Sequence, residues 1–467
     1  LDITIIEKNN QCGGRLNKIE KDGFIFDTGP SFFSMSYEFE ELAKDAGLKK
    51  LPFDYEPLET LYQVSFNNGQ SFKVTKNLDE FAKQFIKYEK DFPVKFKKYI
   101  SKTESLYKDT VDKVIKTNFN NKLSYLLTLA TVNPIHLPVL FYNFWDFISK
   151  YFENQKAKEI ISLIAFFLGR SPFDTNAVYT LLSYIEFVYD GYFNVKGGMY
   201  KIVEGIVEEL RKRNVKFIYN TEIMDFICEN DNIKYFVDRL NNKYEADYFI
   251  VNSDAAYFRG KVFKREKFSE DKLLKMEWTS GYLTMYLGID TKLNNINHHN
   301  YYLGDNYEKY GKSILEDPNL LDKPYYYVNV LTRKNLQNAP EGCESLFFVC
   351  PVPNLIYKQN WNDREQIAQS IIDDFSKKNN LELNKHIVVK EIFTPVEWQN
   401  KFNLFKGAGL GLSHNLWQIG AFRPTNFDED FKNVFYVGAS TVPGAGIPMA
   451  VISSKLVTDR ILKKLAF

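Results

Sequence analysis

The residues best suited to chemistry at the start of the chain are Glu7 and the group Gly13, Gly14 and Arg15. Glu7 directly follows a short β-branched run, and in dinucleotide-binding folds a carboxylate at this position binds ribose hydroxyls. Paired glycines let the backbone approach a pyrophosphate, and an arginine supplies a bidentate phosphate partner. Taken separately, Glu7 and Arg15 are ordinary surface charges, but their spacing behind a strand favours a nucleotide-binding role.

A second candidate site lies in residues 433–449, near the other end of the chain. The apolar run at 434–437 predicts a buried strand, which Gly438 ends. Gly446 then precedes Pro448, which suits the first turn of a helix because it has no N–H to lose. A helix start offers free N–H donors and a positive dipole end, which attract an anionic or electron-rich group. The alternative is an ordinary strand-to-helix connection whose glycines serve tight packing.

The composition argues against several other kinds of function. The 467 residues carry 60 Lys and Arg against 59 Asp and Glu, so a net charge of +1 gives no electrostatic basis for nucleic-acid binding. The four cysteines are scattered, as in a protein of the reducing cytoplasm, and the five histidines have no zinc spacing, so we expect no metal site. Ser413 and His414 would permit a hydrolase interpretation, but no Gly-x-Ser-x-Gly elbow accompanies them.

The elements around the two candidate sites are typical of a nucleotide-binding domain. Residues 3–6, 24–26, 215–219, 222–228, 234–238 and 246–251 predict strands, and the apolar periodicity after Pro448 predicts a long helix. Gly197 and Gly198 open another helix, which Asn214 closes. The ribose-binding acid normally lies about twenty residues after a glycine-rich phosphate loop. No such loop precedes Glu7, so we expect the first strand and phosphate loop to be missing from this sequence.

The remaining segments predict a second unit. Residues 58–74 alternate about Asn67-Asn68-Gly69, which is a hairpin signal, and helical patterns fill residues 77–189. Separated strands at 282–287, 325–331, 345–352 and 387–393 predict an antiparallel sheet. Asn362 and Glu365 predict a capped helix between them.

No charged residue occurs between Lys122 and Asp146. A membrane-spanning helix needs about twenty predominantly apolar residues, but Pro134 and Pro138 break the middle of this stretch. It therefore predicts contact with one membrane leaflet or the entrance of a ligand tunnel, with a buried helical hairpin as the alternative. The 40 Phe and 30 Tyr fit either general composition or the lining of a large apolar ligand.

Several motifs resemble the FAD-dependent amine oxidase superfamily. They are Glu7, GGR at 13–15 and FDTGPS at 26–31. The sequence VGASTVPGAGIPMAVISSK at 437–455 is similar to the signature of one branch, the bacterial phytoene desaturase-type carotenoid oxidoreductases. GGM at 197–199, ADYFIVNSDAAY at 246–257 and GLGLSHNLWQIGAFRP at 409–424 extend the resemblance over the rest of the chain.

The resemblance implies an α/β fold, in which a Rossmann-like FAD-binding domain accompanies an α+β substrate domain and a helical lid. The residues implied to bind FAD are Glu7, Gly13, Gly14, Arg15, Gly29, Pro30, Ile223, Gly438, Gly446, Ile447, Pro448, Met449 and Ala450. Among these, the backbone near Ile223 would border the adenine. Residues 446–450 would lie at the flavin N1–C2=O edge, which gains negative charge on reduction. The FAD-binding domain is expected at residues 1–56, 194–259 and 405–467, and the substrate domain at residues 57–193, with the lid, and 260–404.

The expected activity is FAD-dependent desaturation of phytoene or a related carotene by hydride transfer to flavin. The substrate would be an apolar polyene and the electron acceptor oxygen or a quinone. We expect a cytoplasmic protein with peripheral membrane contact through residues 122–146, because the family acts on lipids. A flavin-dependent polyene isomerase or saturase and a non-catalytic lipid-binding protein of the same fold are the alternatives. No catalytic base is identified; Arg170 and Asp174 are candidates, although a helix-end charge and a cap are the favoured explanation of these two residues.

Overall fold

The computed structural model describes residues 1–317 and 325–465. Residues 318–324, within the predicted substrate-domain segment 260–404, lie outside the described part. So do residues 466–467, at the end of the predicted FAD-binding segment 405–467. The strands are β1 Thr4–Ile6, β2 Lys18–Lys21, β3 Phe24–Asp27, β4 Tyr55–Pro57, β5 Thr60–Phe66, β6 Ser71–Thr75, β7 Phe193–Val195, β8 Lys216–Ile218, β9 Ile223–Glu229, β10 Asn232–Asp238, β11 Lys243–Glu245, β12 Phe249–Val251, β13 Gly281–Ile289, β14 His299–Leu303, β15 Tyr326–Val330, β16 Glu344–Val352, β17 Ile387–Phe393 and β18 Val434–Tyr436.

Helices cover both the ends and the middle of the chain. They are α1 Ser36–Asp45, α2 Leu78–Lys83, α3 Phe92–Thr110, α4 Lys122–Leu129, α5 Phe144–Ile148, α6 Gln155–Ser162, α7 Leu181–Tyr184, α8 Lys201–Lys212, α9 Ala255–Tyr257, α10 Glu270–Leu273, α11 Tyr307–Ser313, α12 Arg364–Asn379, α13 Pro395–Phe402 and α14 Ile447–Leu465. The helical region between β6 and β7 confirms the helical patterns predicted for residues 77–189.

Seven strands form the largest sheet, in the order β17-β13-β16-β15-β14-β5-β6. The hairpin β5–β6 confirms the prediction for residues 58–74. The antiparallel sheet predicted from the strands at 282–287, 325–331, 345–352 and 387–393 is confirmed by β13, β15, β16 and β17. The hairpin β5–β6 extends that sheet through a parallel pairing of β5 with β14. No periodic pattern predicted β14, because its five residues are all buried.

The strands next to the candidate nucleotide site form two short parallel pairs. β1 pairs with β8 and β12 pairs with β18. Within the described residues, no hydrogen-bonded ladder joins β1 to β12. Ile3, which immediately precedes β1, and Ile250 of β12 are 43% and 53% exposed, and both line one cavity. Parallel strands are normally covered by other parts of the protein. Here the unpaired edges of β1 and β12 border the cavity instead.

The core of the helical region is built largely from phenylalanine rings. The ring centroid of Phe81 lies 5.2 Å from that of Phe96 and 5.5 Å from that of Phe187. Phe92 lies 5.1 Å from Phe152, and all five side chains are buried. Aromatic pairs at such separations stabilise a core beyond the area that they bury. Much of the high phenylalanine content therefore serves packing between helices.

Helix starts in the second half of the chain follow local capping signals only in part. The capping prediction for Asn362 is wrong, because α12 begins one residue later, with Asp363 at its N-cap and no side-chain cap. A reciprocal capping box instead begins α13, where Thr394 and Glu397 satisfy each other's backbone N–H groups. Both signals have similar sequence spacing, so the local residues alone did not distinguish them.

The helices that flank the candidate site behave as predicted. α14 begins at Ile447, which puts Pro448 in the first turn. α8 follows the glycine pair at 197–198, and Asn214 adopts φ +63° just after the helix ends. Asparagine tolerates this left-handed conformation better than most residues, which explains the termination there.

The uncharged stretch of residues 123–145 is broken into separate helical pieces. α4 is followed by a 3-10 segment, Pro134–Phe141, at an angle of 117°. Among the described residues, no single helix has the length and apolar character to cross a membrane, and this bent pair qualifies by length and composition only. The pieces are exposed in large part: Leu127 is 62% and Phe141 83% accessible. The alternative of a buried hairpin is therefore wrong for this stretch.

The close approach of α8 to the backbone of Pro52 predicts a strong effect of one added methyl group. A Cβ added at Gly205 would lie 2.0 Å from the carbonyl oxygen of Pro52, which belongs to the backbone and moves with difficulty. We expect Gly205→Ala to destabilise the fold by about 1–3 kcal/mol, because overpacking outweighs the gain in helix propensity. Thermal unfolding followed by circular dichroism measures the effect. The control is Glu208→Ala on the exposed face of the same helix, and an equal change in both variants would contradict the packing argument.

Candidate cofactor and substrate site

One cavity of about 2750 Å³ collects every residue predicted to bind the cofactor. Its wall includes Glu7, Gly13, Gly14, Arg15, Gly29, Pro30, Ile223, Gly438, Gly446, Ile447, Pro448, Met449 and Ala450. These residues come from both ends and the middle of the chain. The structure therefore brings them together, while the role of each toward a ligand stays a prediction.

Glu7 lies at the carboxyl end of β1, where the strand opens into the cavity. Its Oε1 accepts hydrogen bonds from the backbone N–H and the side-chain amide of Asn9, at 2.8 and 3.1 Å. Burial raises the pKa of Glu7, and the bonds from Asn9 oppose that rise. The bonds to Asn9 fix the orientation of the carboxylate that the sequence predicts for ribose binding.

The glycines after β1 and β3 permit close backbone packing. A Cβ at Gly29 would lie 2.1 Å from the carbonyl oxygen of Arg15, and a Cβ at Gly13 would lie 2.1 Å from that of Leu16. The guanidinium of Arg15 donates a hydrogen bond to the carbonyl of Gly409 at 2.6 Å. Arg15 thus links this loop to the segment at 407–411, and its predicted contact with a phosphate stays a prediction.

The connection from β18 to α14 is held in a left-handed backbone conformation at three glycines. Gly438, Gly444 and Gly446 have φ values of +94°, +145° and +126°, which side-chain-bearing residues rarely adopt. The N–H of Gly438 donates to the hydroxyl of Ser453 inside α14, at 3.2 Å. This bond fixes the end of β18 against the helix and leaves the first turn of α14 at the cavity wall. A helix start at this place presents unpaired N–H groups and the positive end of its dipole.

His414 holds the loop before α14. Its Nε2 accepts a hydrogen bond from the backbone N–H of Ala445 at 3.2 Å. Burial lowers the pKa of His414 to about 3, and the nearby Arg423 adds to the effect. The imidazole is therefore neutral, as an acceptor must be. No hydrolytic arrangement with Ser413 is needed to explain this histidine.

Arg423 gathers the loops beneath the connection from β18 to α14. The side chain is 2% exposed, and its guanidinium donates five hydrogen bonds to backbone carbonyls. The accepting residues are Leu412, Ser413, Gln418, Ala439 and Thr441. Burial lowers the pKa of Arg423 to about 10. Sequence reasoning assigned no role to Arg423, and its only signal was an arginine in a loop otherwise poor in charge.

Two buried aspartates also have structural roles that were not predicted from the sequence. Asp254 accepts a hydrogen bond from the hydroxyl of Ser440 at 2.9 Å and so joins the β12 and β18 loops. Asp27 accepts hydrogen bonds from the N–H groups of Met199 and Tyr200, at 2.8 and 3.2 Å, just before α8. Burial raises the pKa of Asp27 to about 6 against those two bonds. Each aspartate positions a loop at the cavity.

The two residues proposed as proton acceptors lie away from this wall. Arg170 pairs with Glu277, Nη2 to Oε2 at 3.3 Å. Asp174 is exposed and accepts a hydrogen bond from the hydroxyl of Ser171 at 2.6 Å. Neither residue lines the cavity, which favours the interpretation as local structural charges. Among the described residues, no cluster of three or more His, Cys, Asp or Glu side chains could hold a metal ion.

Comparison with known proteins identifies the family of this chain. Residues 1–462 match the family described as flavin containing amine oxidoreductase. A zeta-carotene-forming phytoene desaturase of Myxococcus xanthus is 28% identical over 466 residues, which cover 99% of this chain and 89% of that protein. A phytoene desaturase of Fusarium fujikuroi is 29% identical over 498 residues, covering 100% and 86%. The structure of an oxidoreductase from Methanosarcina mazei has a TM-score of 0.65 at 13% identity, over 98% of this chain and 94% of that chain.

The chain belongs to the flavin-containing amine oxidoreductase family. It is an FAD-dependent oxidoreductase. The residues of the cavity fit this cofactor: an acid ends β1, glycines open the backbone at residues 438–446, and a 19-residue helix starts at the wall. A likeness in fold to a putrescine oxidase variant, with a TM-score of 0.65 at 11% identity over 99% of this chain and 94% of that chain, agrees with the same architecture.

The neutral state of His414 predicts a pH dependence of stability. The unfolded chain protonates this histidine near its ordinary pKa of 6.5, whereas the folded protein does so only near 3. The contribution of neutral His414 is therefore complete above pH 6.5 and is lost progressively as the pH falls toward 3. We expect the melting temperature of the wild type to fall more steeply below about pH 6 than that of His414→Gln. The control is His386→Gln at an exposed position, and parallel slopes for wild type and His414→Gln would refute the assignment.

Proposed function

We propose that the protein desaturates phytoene or a related carotene. The observation that carries this proposal is the continuity of one cavity from the start of α14 to the apolar surface around α4. Leu126, Leu137 and Trp417 line its outer part, whereas Gly446 and Met449 line the part next to α14. Such a path suits a long hydrocarbon chain that must reach a buried redox group. The names of the relatives in Myxococcus and Fusarium support the same substrate class.

The protein's own residues supply position and dryness in this proposal. When bound, FAD supplies the hydride acceptor for the reaction. The glycine connection and the first turn of α14 would hold the flavin N1–C2=O edge, where the helix dipole favours negative charge. His414 and Arg423 fix that connection, so the acceptor site is preorganised. The apolar wall excludes water from the substrate, which has no polar handle of its own.

The direct test is anaerobic reduction of the bound flavin. We expect phytoene in liposomes to bleach the flavin absorbance of full-length, FAD-loaded protein, with a matching rise of conjugated polyene absorbance. Squalane, a saturated hydrocarbon, should bleach nothing. We further propose oxygen or a quinone as the electron acceptor, so adding either should restore the flavin. Polyene rearrangement without bleaching would indicate an isomerase, and bound flavin with no reaction would indicate a lipid carrier.

We also propose that one more parallel strand and a phosphate loop complete the FAD-binding domain between β1 and β12. The open edges of both strands line the cavity, and residues from Ile3 to Glu7 border the same space. A parallel strand there would cover Ile250, which is 53% exposed. Its carboxyl end would lie beside Glu7, at the edge where open α/β sheets bind nucleotides. We also propose that the FAD-binding and substrate-domain segments meet after residues 56, 193, 259 and 404, as predicted from the sequence.

The exposed surface around α4 is proposed to contact one leaflet of a membrane. We call the side chains of Leu123, Leu126, Leu127, Ile135, Leu137, Phe141 and Trp417 the apolar patch; all are more than half exposed. Leu126, Leu137 and Trp417 also line the cavity, so its mouth opens within the patch. An apolar surface of this kind is unusual unless it binds a partner or a lipid phase. A membrane would cover the patch and deliver a lipid-soluble substrate to the mouth.

Substitution within the apolar patch tests the membrane proposal. Each large apolar side chain contributes about 1.5–3 kcal/mol when fully buried, so Leu127→Glu with Phe141→Glu should lower vesicle binding about tenfold or more. Co-sedimentation with phosphatidylcholine vesicles measures the bound fraction. The matched control, Leu240→Glu with Leu336→Glu, changes residues that are 79% and 72% exposed elsewhere, and it should bind as the wild type does. Equal losses in both variants would argue against a specific docking face.

A further inference from the structure

One part of the cavity wall is unexpectedly polar for a hydrocarbon site. Glu186, Tyr192, Tyr301 and Tyr327 line it, and we call these four residues the polar pocket. Their side chains are only 2%, 4%, 7% and 6% exposed. The other carboxylates on the cavity wall come from the nucleotide-binding segments: Asp2, Glu7, Glu222, Glu245, Asp247 and Asp254. Glu186 is thus the one cavity carboxyl, among the described residues, that belongs to the predicted substrate domain.

Glu186 is held in an uncharged state by its surroundings. Burial raises the pKa of its carboxyl to about 8, and the hydroxyls of Tyr62 and Tyr192 act against that rise. Its Oε2 is buried and makes no hydrogen bond within the described part of the chain. A protonated carboxyl offers both a donor and an acceptor. Beyond its interactions with the two tyrosines, the carboxyl of Glu186 therefore has unused hydrogen-bonding capacity at Oε2.

Tyr301 provides a second buried group without a partner. Its hydroxyl makes no hydrogen bond to any residue that the structure describes. Glu186 lies near enough to act on the pKa of Tyr301, which burial raises far above its ordinary value. By contrast, the hydroxyl of Tyr327 is already hydrogen-bonded to Nδ1 of His299, at 2.5 Å. The unused capacity of the pocket is thus concentrated at Glu186 and Tyr301.

The pocket adjoins the part of the chain that is expected to bind the flavin. The ring centroid of Phe32 lies 4.7 Å from that of Tyr192 and 5.2 Å from that of Tyr327. The Phe32 ring also stacks on the His299 ring, with 4.1 Å between the centroids. Phe32 itself lines the cavity two residues after Pro30. A substrate that reaches the flavin would therefore pass close to the polar pocket. A pure hydrocarbon would leave the two polar groups unpaired, which is unfavourable for buried donors and acceptors.

We propose that the polar pocket binds one hydroxyl or carbonyl oxygen of the substrate, so that the substrate class includes oxygenated polyenes. The proposal rests on the proposed desaturase function and specifies its substrate. Glu186 would donate to the oxygen and Tyr301 would complete its hydrogen bonds. The remaining wall would contact the hydrocarbon part of the chain. Glu186 and Tyr301 act here as binding residues that set specificity, not as groups that accept the reaction's proton.

The experiment compares two probes in the FAD-loaded, full-length protein. The probes are phytoene and the same chain bearing one terminal hydroxyl group. We expect kcat/KM for the hydroxylated probe to exceed that for phytoene about tenfold or more in the wild type, because unpaired buried groups penalise the hydrocarbon. Glu186→Leu and the isosteric Tyr301→Phe should each reduce this preference to about twofold or less. Equilibrium binding of both probes, followed by tryptophan fluorescence quenching without turnover, should show the same loss.

Two matched variants separate the pocket from general effects on the fold. Tyr302→Phe removes a hydroxyl from the adjacent residue of β14, whose partner is the side chain of Asn379 rather than the cavity. Glu159→Gln changes another buried carboxyl whose pKa burial raises to about 7, and Glu159 lies off the cavity wall. Both should keep the wild-type preference for the hydroxylated probe.

Each outcome decides the proposal. A wild type that binds and oxidises both probes equally would overturn it and would indicate that water alone fills the pocket. Equal loss of preference in Tyr302→Phe and Tyr301→Phe would also overturn it, since the effect would then be structural. Failure of both probes to bleach the flavin would refute the desaturase function itself, and the hydroxyl preference in the binding measurement tests the pocket separately from that function.

Discussion

The cavity depends on the hydrogen bonds that the guanidinium of Arg423 donates. It donates hydrogen bonds to five backbone carbonyls from two loops, and it has almost no contact with solvent. A buried charge is costly unless it is paired or fully hydrogen-bonded, and here the carbonyls themselves provide that compensation. The loops that contain His414 and Ala439 are thereby fixed relative to each other. Without this cation, five carbonyls would lose their partner in a place that water reaches poorly.

The same arrangement explains why the residues around the connection from β18 to α14 are small or neutral. The backbone at Gly438, Gly444 and Gly446 occupies conformations that suit glycine, and a Cβ at Gly444 would lie 2.8 Å from Nε2 of His414. His414 accepts a backbone N–H and is kept uncharged by burial and by Arg423. The start of α14 and the guanidinium of Arg423 therefore both contribute positive potential at this part of the wall. That field is oriented before any ligand arrives, which is the physical basis of preorganisation.

The aromatic residues divide into two populations with different tasks. Phe81, Phe92 and Phe96 pack on one another in the helical region and do not line the candidate site's cavity. Tyr192 and Tyr301, in contrast, line the cavity with buried hydroxyls. Composition alone did not separate packing from lining, because both uses need large, rigid apolar bodies. The buried hydroxyls of Tyr192 and Tyr301 add a requirement for a hydrogen-bond partner that a phenylalanine core does not have.

Local sequence signals were sufficient where the structure depends on short-range geometry. The hairpin at Asn67-Asn68-Gly69, the strand before Gly438 and the helix that begins beside Pro448 all follow from turn chemistry and periodicity. Local sequence signals failed at Asn362, where a cap with the expected spacing is not used. They also failed at β14, whose five buried residues show no alternation of apolar and polar types. Strands buried on both faces lose the period of two on which recognition from sequence depends.

The sequence by itself determined the class of the site, because the acid after β1, the glycine connection and the helix start are each encoded within a few neighbouring residues. The tertiary structure alone decided which distant residues meet. Arg423, Asp254 and Glu186 have ordinary sequence neighbours, and their importance comes from burial and from partners far along the chain. Burial changes protonation and hydrogen-bonding demands, and it is a property of the folded whole rather than of any local segment.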